Sequence, residues 1–149
     1  MKKVRLMIPL LFLSVILFGW ACGKKAQPQL IKNEFFDRVA DLKGELREGD
    51  IYLSGRIKGL NGASGTINPA KGCRVYYGQY SFDNAPCEGC PIKYGGYHEF
   101  GPEVIKGKDF LCILPGKFKA QIYFFKVHLV GEEGTIGPSS NVIKVKVEG

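Results

Sequence analysis

Residues 123–147 read YFFKVHLVGEEGTIGPSSNVIKVKV. Tyr123, Phe125, Val127 and Leu129 alternate with Phe124, Lys126 and His128, and Ile143, Val145 and Val147 alternate with Lys144 and Lys146. A two-residue period sends alternate side chains to opposite faces of an extended chain, so each run predicts a strand with one apolar face. Between the runs, Gly131 to Ser140 is rich in glycine, proline and serine, the composition of a turn. The same signal recurs upstream. Ile51, Leu53, Gly55 and Ile57 alternate with Tyr52, Ser54, Arg56 and Lys58, and Cys73, Val75 and Tyr77 alternate with Arg74 and Tyr76. Turn signals fall at Glu48-Gly49-Asp50, Gly59-Leu60-Asn61-Gly62, Gly95-Gly96 and Pro115-Gly116. Helical periodicity is scarce, and short strands between glycine-rich turns predict an all-β sandwich.

The closing stretch resembles the last two strands of a fibronectin type III domain, in which an aromatic-x-aromatic-x-Val strand precedes a glycine-rich loop, Pro-Ser-Asn and a final strand. Tyr123, Phe125 and Val127 match the first part, and Pro138, Ser139, Ser140 and Asn141 the second. CRVYYG at 73–78 resembles the family's third strand, with Cys73 in place of a tyrosine; IYLSG at 51–55 resembles its second, with Gly55 in place of the core tryptophan. The resemblance covers about residues 35–149 and implies an immunoglobulin-like β-sandwich with an extended Cys/Tyr-rich loop. The only tryptophan is Trp20, so such a domain lacks the large aromatic that fills the family's core. The segment from Ser81 to Phe100, which contains CEGC, is longer than the family's loop between its third and fourth strands.

The beginning of the chain has a different character. Lys2, Lys3 and Arg5 precede an apolar run of 13 residues, Leu6–Phe18. That suits a signal peptide and falls short of the roughly 20 residues that span a bilayer comfortably. Counting on through Trp20 and Cys22 leaves a spanning anchor as the alternative. Gly19 and Ala21 place small residues where an ordinary signal peptidase cuts, while Ala21-Cys22-Gly23 resembles the lipobox of bacterial lipoproteins. That family usually has Leu where this chain has Gly19 and a small residue where it has Trp20; the following CGKKAQPQ is similar to the start of many small Gram-negative lipoproteins. The resemblance implies acyl chains on Cys22. Two or three chains, at roughly 0.8 kcal/mol per buried methylene, hold a protein on a membrane where one does not. Lys24 and Lys25 would then sit beside anionic headgroups. Residues 1–21 are thus expected to be a lipoprotein signal peptide, 22–33 a lipidated tether and 34–149 the sandwich. Gly23 rather than Asp after the cysteine implies the outer membrane, with the domain facing the periplasm.

Charge narrows the partners. Of 21 Lys and Arg, the leader takes three, leaving 18 against 14 Asp and Glu, a net charge of +4. This is mildly basic, without the dense patch of a nucleic-acid binder.

Four cysteines follow Cys22, namely Cys73, Cys87, Cys90 and Cys112. An even number in an exported chain argues for disulfides, and four allow three connectivities. Within the fibronectin-like alignment Cys73 opens the third strand and Cys112 lies on the fifth, both pointing inward from opposite sheets. The resemblance therefore implies a Cys73–Cys112 bridge across the core, with Cys87–Cys90 closing the loop. A bridge closing about 40 residues contributes roughly 2–4 kcal/mol. Other uses of CEGC remain open. Pro91 follows Cys90, which excludes the CxxCH of haem attachment. One CxxC is half a zinc site, and no second one is present. A redox pair usually opens a helix, and Pro86-Cys87-Glu88-Gly89-Cys90-Pro91 precedes no helical pattern.

Catalytic signatures are lacking. There is no GxSxG, HExxH, phosphate-binding loop or dinucleotide fingerprint, and the neighbours His98 and Glu99 are weak evidence for acid–base work. No enzyme, cofactor or metal is expected. In the fold implied by the resemblance, the third, sixth and seventh strands share a sheet whose outer face carries Arg74, Tyr76, Phe124, Lys126, His128, Lys144 and Lys146. A second group, Tyr80, Phe82, Tyr94, Tyr97 and Phe100, crowds the long loop. Either could bind an envelope protein or polymer, because tyrosine offers large contact area at low entropic cost. Their ordinary alternatives are a solvated sheet face and rings packed around the CEGC bridge. The reading is a non-catalytic, lipid-anchored binding or scaffolding module of the cell envelope. Redox or metal handling by Cys87 and Cys90 is the alternative.

Overall fold

The computed structural model describes residues 36–59, 70–116 and 118–148. Cys22, its leader, the tether and the Gly59–Gly62 turn beyond Gly59 lie outside these residues. The described residues form strands β1 (Arg38–Arg47), β2 (Asp50–Lys58), β3 (Gly72–Tyr80), β4 (Gly96–Phe100), β5 (Ile105–Lys106), β6 (Asp109–Leu114), β7 (Ile122–Val130), β8 (Ile136–Ser139) and β9 (Ile143–Lys146). One sheet has the order β1-β2-β6-β5 and the other β4-β3-β7-β8, with β9 also on β7. All pairs are antiparallel. Two sheets in this order are the arrangement of an immunoglobulin-type sandwich. The described residues form an all-β, fibronectin type III-like sandwich, and Gly96–Phe100, expected within the long loop, is an edge strand of it.

Alternation builds the core. On β7, Tyr123, Phe125, Val127 and Leu129 face Ile51, Leu53, Phe110 and Cys112 of the other sheet, all within one buried cluster. Phe110 and Phe125 are the largest fully buried side chains, and each such burial is worth about 1.5–3 kcal/mol.

The missing tryptophan has a backbone explanation. β1 is bulged, its register with β2 shifting between Ala40 and Lys43, and Asp41 sits at φ 54°. The bulge brings Val39 and Leu42 inward together, both buried. A Cβ at Gly55 would stand 2.6 Å from Val39 Cγ1, so the bulge fills the space that a side chain there would need. Asn141 holds it in place: the Leu42 amide donates to Asn141 Oδ1 at 2.8 Å, and Asn141 Nδ2 donates to Leu42 O at 3.0 Å. The neighbouring Ser140 Oγ accepts from the Val127 amide at 2.9 Å. The Pro-Ser-Ser-Asn motif thus ties the last strands to both sheets.

Candidate functional site

The outer face of the β3 sheet is assembled row by row. Arg74 lies between Glu99 on β4 and His128 on β7, and Tyr76 lies between Tyr97 and Lys126. Directly opposed residues share a face, so these six side chains form two adjacent rows. Tyr76 is at the centre. Its ring centroid is 5.2 Å from Tyr97, 5.3 Å from His128 and 6.2 Å from Tyr94, the last two edge-on. The Lys126 ammonium lies 4.5 Å from the Tyr94 centroid and 5.3 Å from that of Tyr76. Arg74 stands 5.0 Å over Tyr97. Cations over aromatic faces contribute about 0.5–1 kcal/mol at exposed sites.

Polar contacts and burial order the ionisable groups of this face. Arg74 Nε donates to Glu99 Oε1 at 2.6 Å, and this bond raises the guanidinium above its ordinary pKa. His128 Nδ1 donates to Gly137 O at 2.9 Å, since a carbonyl only accepts. That bond fixes the neutral ring's tautomer and leaves Nε2 as the acceptor. Burial, and secondarily Tyr80, pushes the Tyr94 phenol up from its ordinary value.

Tyr94 reaches this face on a strap, residues 81–95, that crosses the sheet at Gly78. A Cβ there would stand 2.8 Å from Lys93 O, so only glycine lets the strap lie this close. The Lys93 amide donates to Tyr80 Oη at 2.7 Å, and Tyr80 Oη donates to Lys93 O at 3.2 Å. Beyond them, the Gly95 amide donates to Tyr77 O at 2.9 Å and returns the chain to the sheet.

The predicted binding residues therefore divide. Arg74, Tyr76, Tyr94, Tyr97, Lys126 and His128 come together. Tyr80 is a strut of the strap, its ring edge-on to Phe124 at 5.6 Å. Phe124, expected on the open face, is buried. Phe100 points into the sandwich opposite Cys73. Lys144 and Lys146 lie on β9, opposite Phe124 and Ile122. Lys146 pairs with Glu148 at 2.7 Å, holding that carboxyl below its usual range, and stands 5.5 Å over Phe82. The rings of the loop pack on the sheet rather than around CEGC.

The neighbours His98 and Glu99 point to opposite faces of β4. Glu99 meets Arg74 outside, and His98 stacks on Tyr77 inside, centroids 5.1 Å apart at 20°. No acid–base pair forms between them. Beside them opens a cavity of about 710 Å³ lined by Tyr77, Phe100, Leu114, Phe118, Tyr123 and Phe125 among others. Its lining comes from β3, β4, β7 and the turn after β6, stretches far apart in the chain, so this cavity was not legible in the sequence.

The cysteines form two separate pairs. Cys87 and Cys90 are bridged, with Cα atoms 5.2 Å apart, in an exposed turn of the strap. Cys73 and Cys112 face each other from the two sheets, but they are free buried thiols rather than the expected bridge. The Cys73 thiol is within hydrogen-bonding reach of Cys112, and this bond, burial and nearby negative charge all push it far above its ordinary pKa. Among the described residues, no three His, Cys, Asp or Glu side chains gather as metal ligands.

No protein-family model and no curated protein matches the sequence. Among solved structures, the chain is similar to one described as "Myokine structure", at 10% identity over 78% of this chain and 100% of that one, with TM-score 0.47. It is also similar to the sixth fibronectin type III domain from human fibronectin type III domain containing protein 3, at 14% identity over 78% and 89%, with TM-score 0.43. The strand order defines the class: a fibronectin type III-like sandwich.

Proposed function

We propose that this chain is a non-catalytic, lipid-anchored protein of the cell envelope whose Tyr76 face binds an acidic protein or anionic polymer. The observation that carries the reading is the cluster of Tyr76, Tyr94 and Tyr97 with Lys126 and Arg74 on one sheet face. Aromatic rings and arginine are the groups most enriched where proteins meet partners. The lipobox-like junction at Cys22 supports the anchor, and the apolar leader supports export. The membrane is then a partner through the acyl chains, at the outer membrane facing the periplasm, and no nucleic acid is involved.

Two substitutions separate location from docking. Cys22→Ala should move the protein from the membrane to the soluble fraction. Lys126→Glu should leave it on the membrane and abolish crosslinking to its envelope partner. Unchanged sedimentation of the first would remove the anchor, and unchanged crosslinking of the second would remove the docking face. One observation favours a second reading. The Cys87–Cys90 bridge is exposed, as an envelope redox or metal-handling protein would require. That reading predicts that Cys87→Ser/Cys90→Ser abolishes function while the Tyr76 face tolerates change.

A further inference from the structure

The cavity beside β4 lies on the inner side of the β4-β3-β7 sheet, away from the Tyr76 face. Its walls are mostly aromatic: Tyr77, Phe100, Phe118, Tyr123 and Phe125 line it together with His98. These rings present flat surfaces. His98 stacks on Tyr77. Tyr123 stacks on Phe125, centroids 6.2 Å apart at 10°, and Phe118 meets Tyr123 edge-on at 5.2 Å. The chain itself braces the walls. The Lys119 amide donates to Tyr123 Oη at 3.1 Å, the Gly116 amide donates to Asp50 Oδ1 at 3.1 Å, and Gln79 Nε2 donates to Gln121 Oε1. A site held in this way gives up little freedom when a ligand enters. Its volume of about 710 Å³ is that of a small-molecule site, which is concave and mostly apolar with a few placed polar groups.

We propose that this cavity binds a small planar aromatic molecule carrying one negative group. The ring system lies against the aromatic walls, and Lys119, exposed at the rim, takes the charge. Charge selects the anion. The one carboxylate in the lining, Glu99, is turned to the outer face, where Arg74 Nε donates to its Oε1 at 2.6 Å. A cation would therefore meet Lys119 with no opposite charge facing it. Wall chemistry selects the flat ring. Aliphatic surface comes mainly from Leu114 and Pro115, whereas ring on ring adds attraction beyond the area buried. A sugar would need many hydrogen-bonding side chains, and the lining's one side-chain amide, Gln79, is engaged by Gln121. Tyr123 Oη accepts from the Lys119 amide and keeps its own proton to donate. This site and the Tyr76 face are on opposite sides of one sheet, so either stands if the other fails.

The test titrates the full chain with 2-naphthoate, using the Cys22→Ala variant so that no detergent competes for the cavity. Calorimetry gives the affinity, and amide chemical shifts give the place. A molecule of this size in a fitting site should bind with Kd of about 1 mM or below. The shifts should gather at Tyr77, His98, Phe118 and Lys119. Octanoate, with the same charge and no ring, should bind about threefold to tenfold more weakly, and 2-naphthylmethylammonium should bind more weakly still. Lys119→Glu should weaken 2-naphthoate by about tenfold or more. His98→Ala should weaken it by about threefold, and His98→Phe, which keeps a ring over Tyr77, should restore it. Both positions are exposed, so the fold tolerates these changes; an unchanged melting temperature checks that. The proposal is overturned if octanoate or the ammonium binds as tightly as 2-naphthoate. It is overturned if the shifts gather at Tyr76, Tyr94 and Tyr97 instead. Absence of binding overturns it too, including where another part of the chain fills the cavity.

Discussion

The sandwich core and the strap that crosses it are held by different forces. The core buries Phe110, Phe125, Leu53 and Val127 to 1% exposure or less, and its registry follows from which residues are apolar. The strap, residues 81–95, has no fully buried side chain, and Tyr94 is half-buried. It is placed by the Tyr80–Lys93 bonds, the Gly95–Tyr77 bond and the Tyr94 ring against Tyr76 and Lys126. The difference teaches where this molecule can change. Core side chains are fixed by stability, whereas the strap can vary in sequence while the frame beneath it stands.

That contrast can be broken first at the core. Phe125→Ala should lower the unfolding free energy by about 3–5 kcal/mol, read from denaturant titration. A loss below about 1 kcal/mol would mean that the sheets do not share a single core. Asn141→Ala removes two hydrogen bonds to the Leu42 backbone and should cost about 1–3 kcal/mol. Thermal melting checks it, and an unchanged midpoint would show that the β1 bulge holds itself. Gly78→Ala puts a methyl group against Lys93 O and should lift the strap while costing the frame about 1 kcal/mol or less. The signature is faster hydrogen exchange at the Gly95 amide with the β2 and β7 amides unchanged.

The smallest effect is one of pH. Burial raises the Tyr94 phenol, so as pH climbs past the ordinary tyrosine value near 10 the unfolded chain loses this proton before the folded one. The stabilisation from the neutral ring is complete below that pH and is lost between it and the raised folded value. Tyr94→Phe should flatten this part of the stability profile, and an unchanged profile would assign the alkaline loss to other groups.

The frame was largely legible because burial writes itself as alternation. The runs at 51–58, 73–77 and 123–129 fall in strands, and that at 143–147 does so up to Lys146. β1 was hidden because its bulge puts Val39 and Leu42 on the same side, three positions apart, which breaks the two-residue period. β4 was hidden because an edge strand with one partner shows no apolar run: Tyr97, His98 and Glu99 are all exposed. The aromatic and basic residues of the face could be named, yet not sorted. Tyr80 and Tyr94 read alike in sequence. Only the path of the strap over Gly78 makes one a strut and the other part of the face. The cavity beneath β4 is lined from β3, β4, β7 and the turn after β6, an assembly that no single stretch announces.

The docking face is tested most directly by placing a photocrosslinking residue at Tyr97 or at Tyr52 in cells that make the protein. Tyr97 is on the proposed face, 46% exposed. Tyr52 is on the outer face of the other sheet, with a lone Arg47 at 5.5 Å. The account predicts a discrete adduct from position 97 and none from position 52. Adducts from 52 alone, or equally from both, would contradict it.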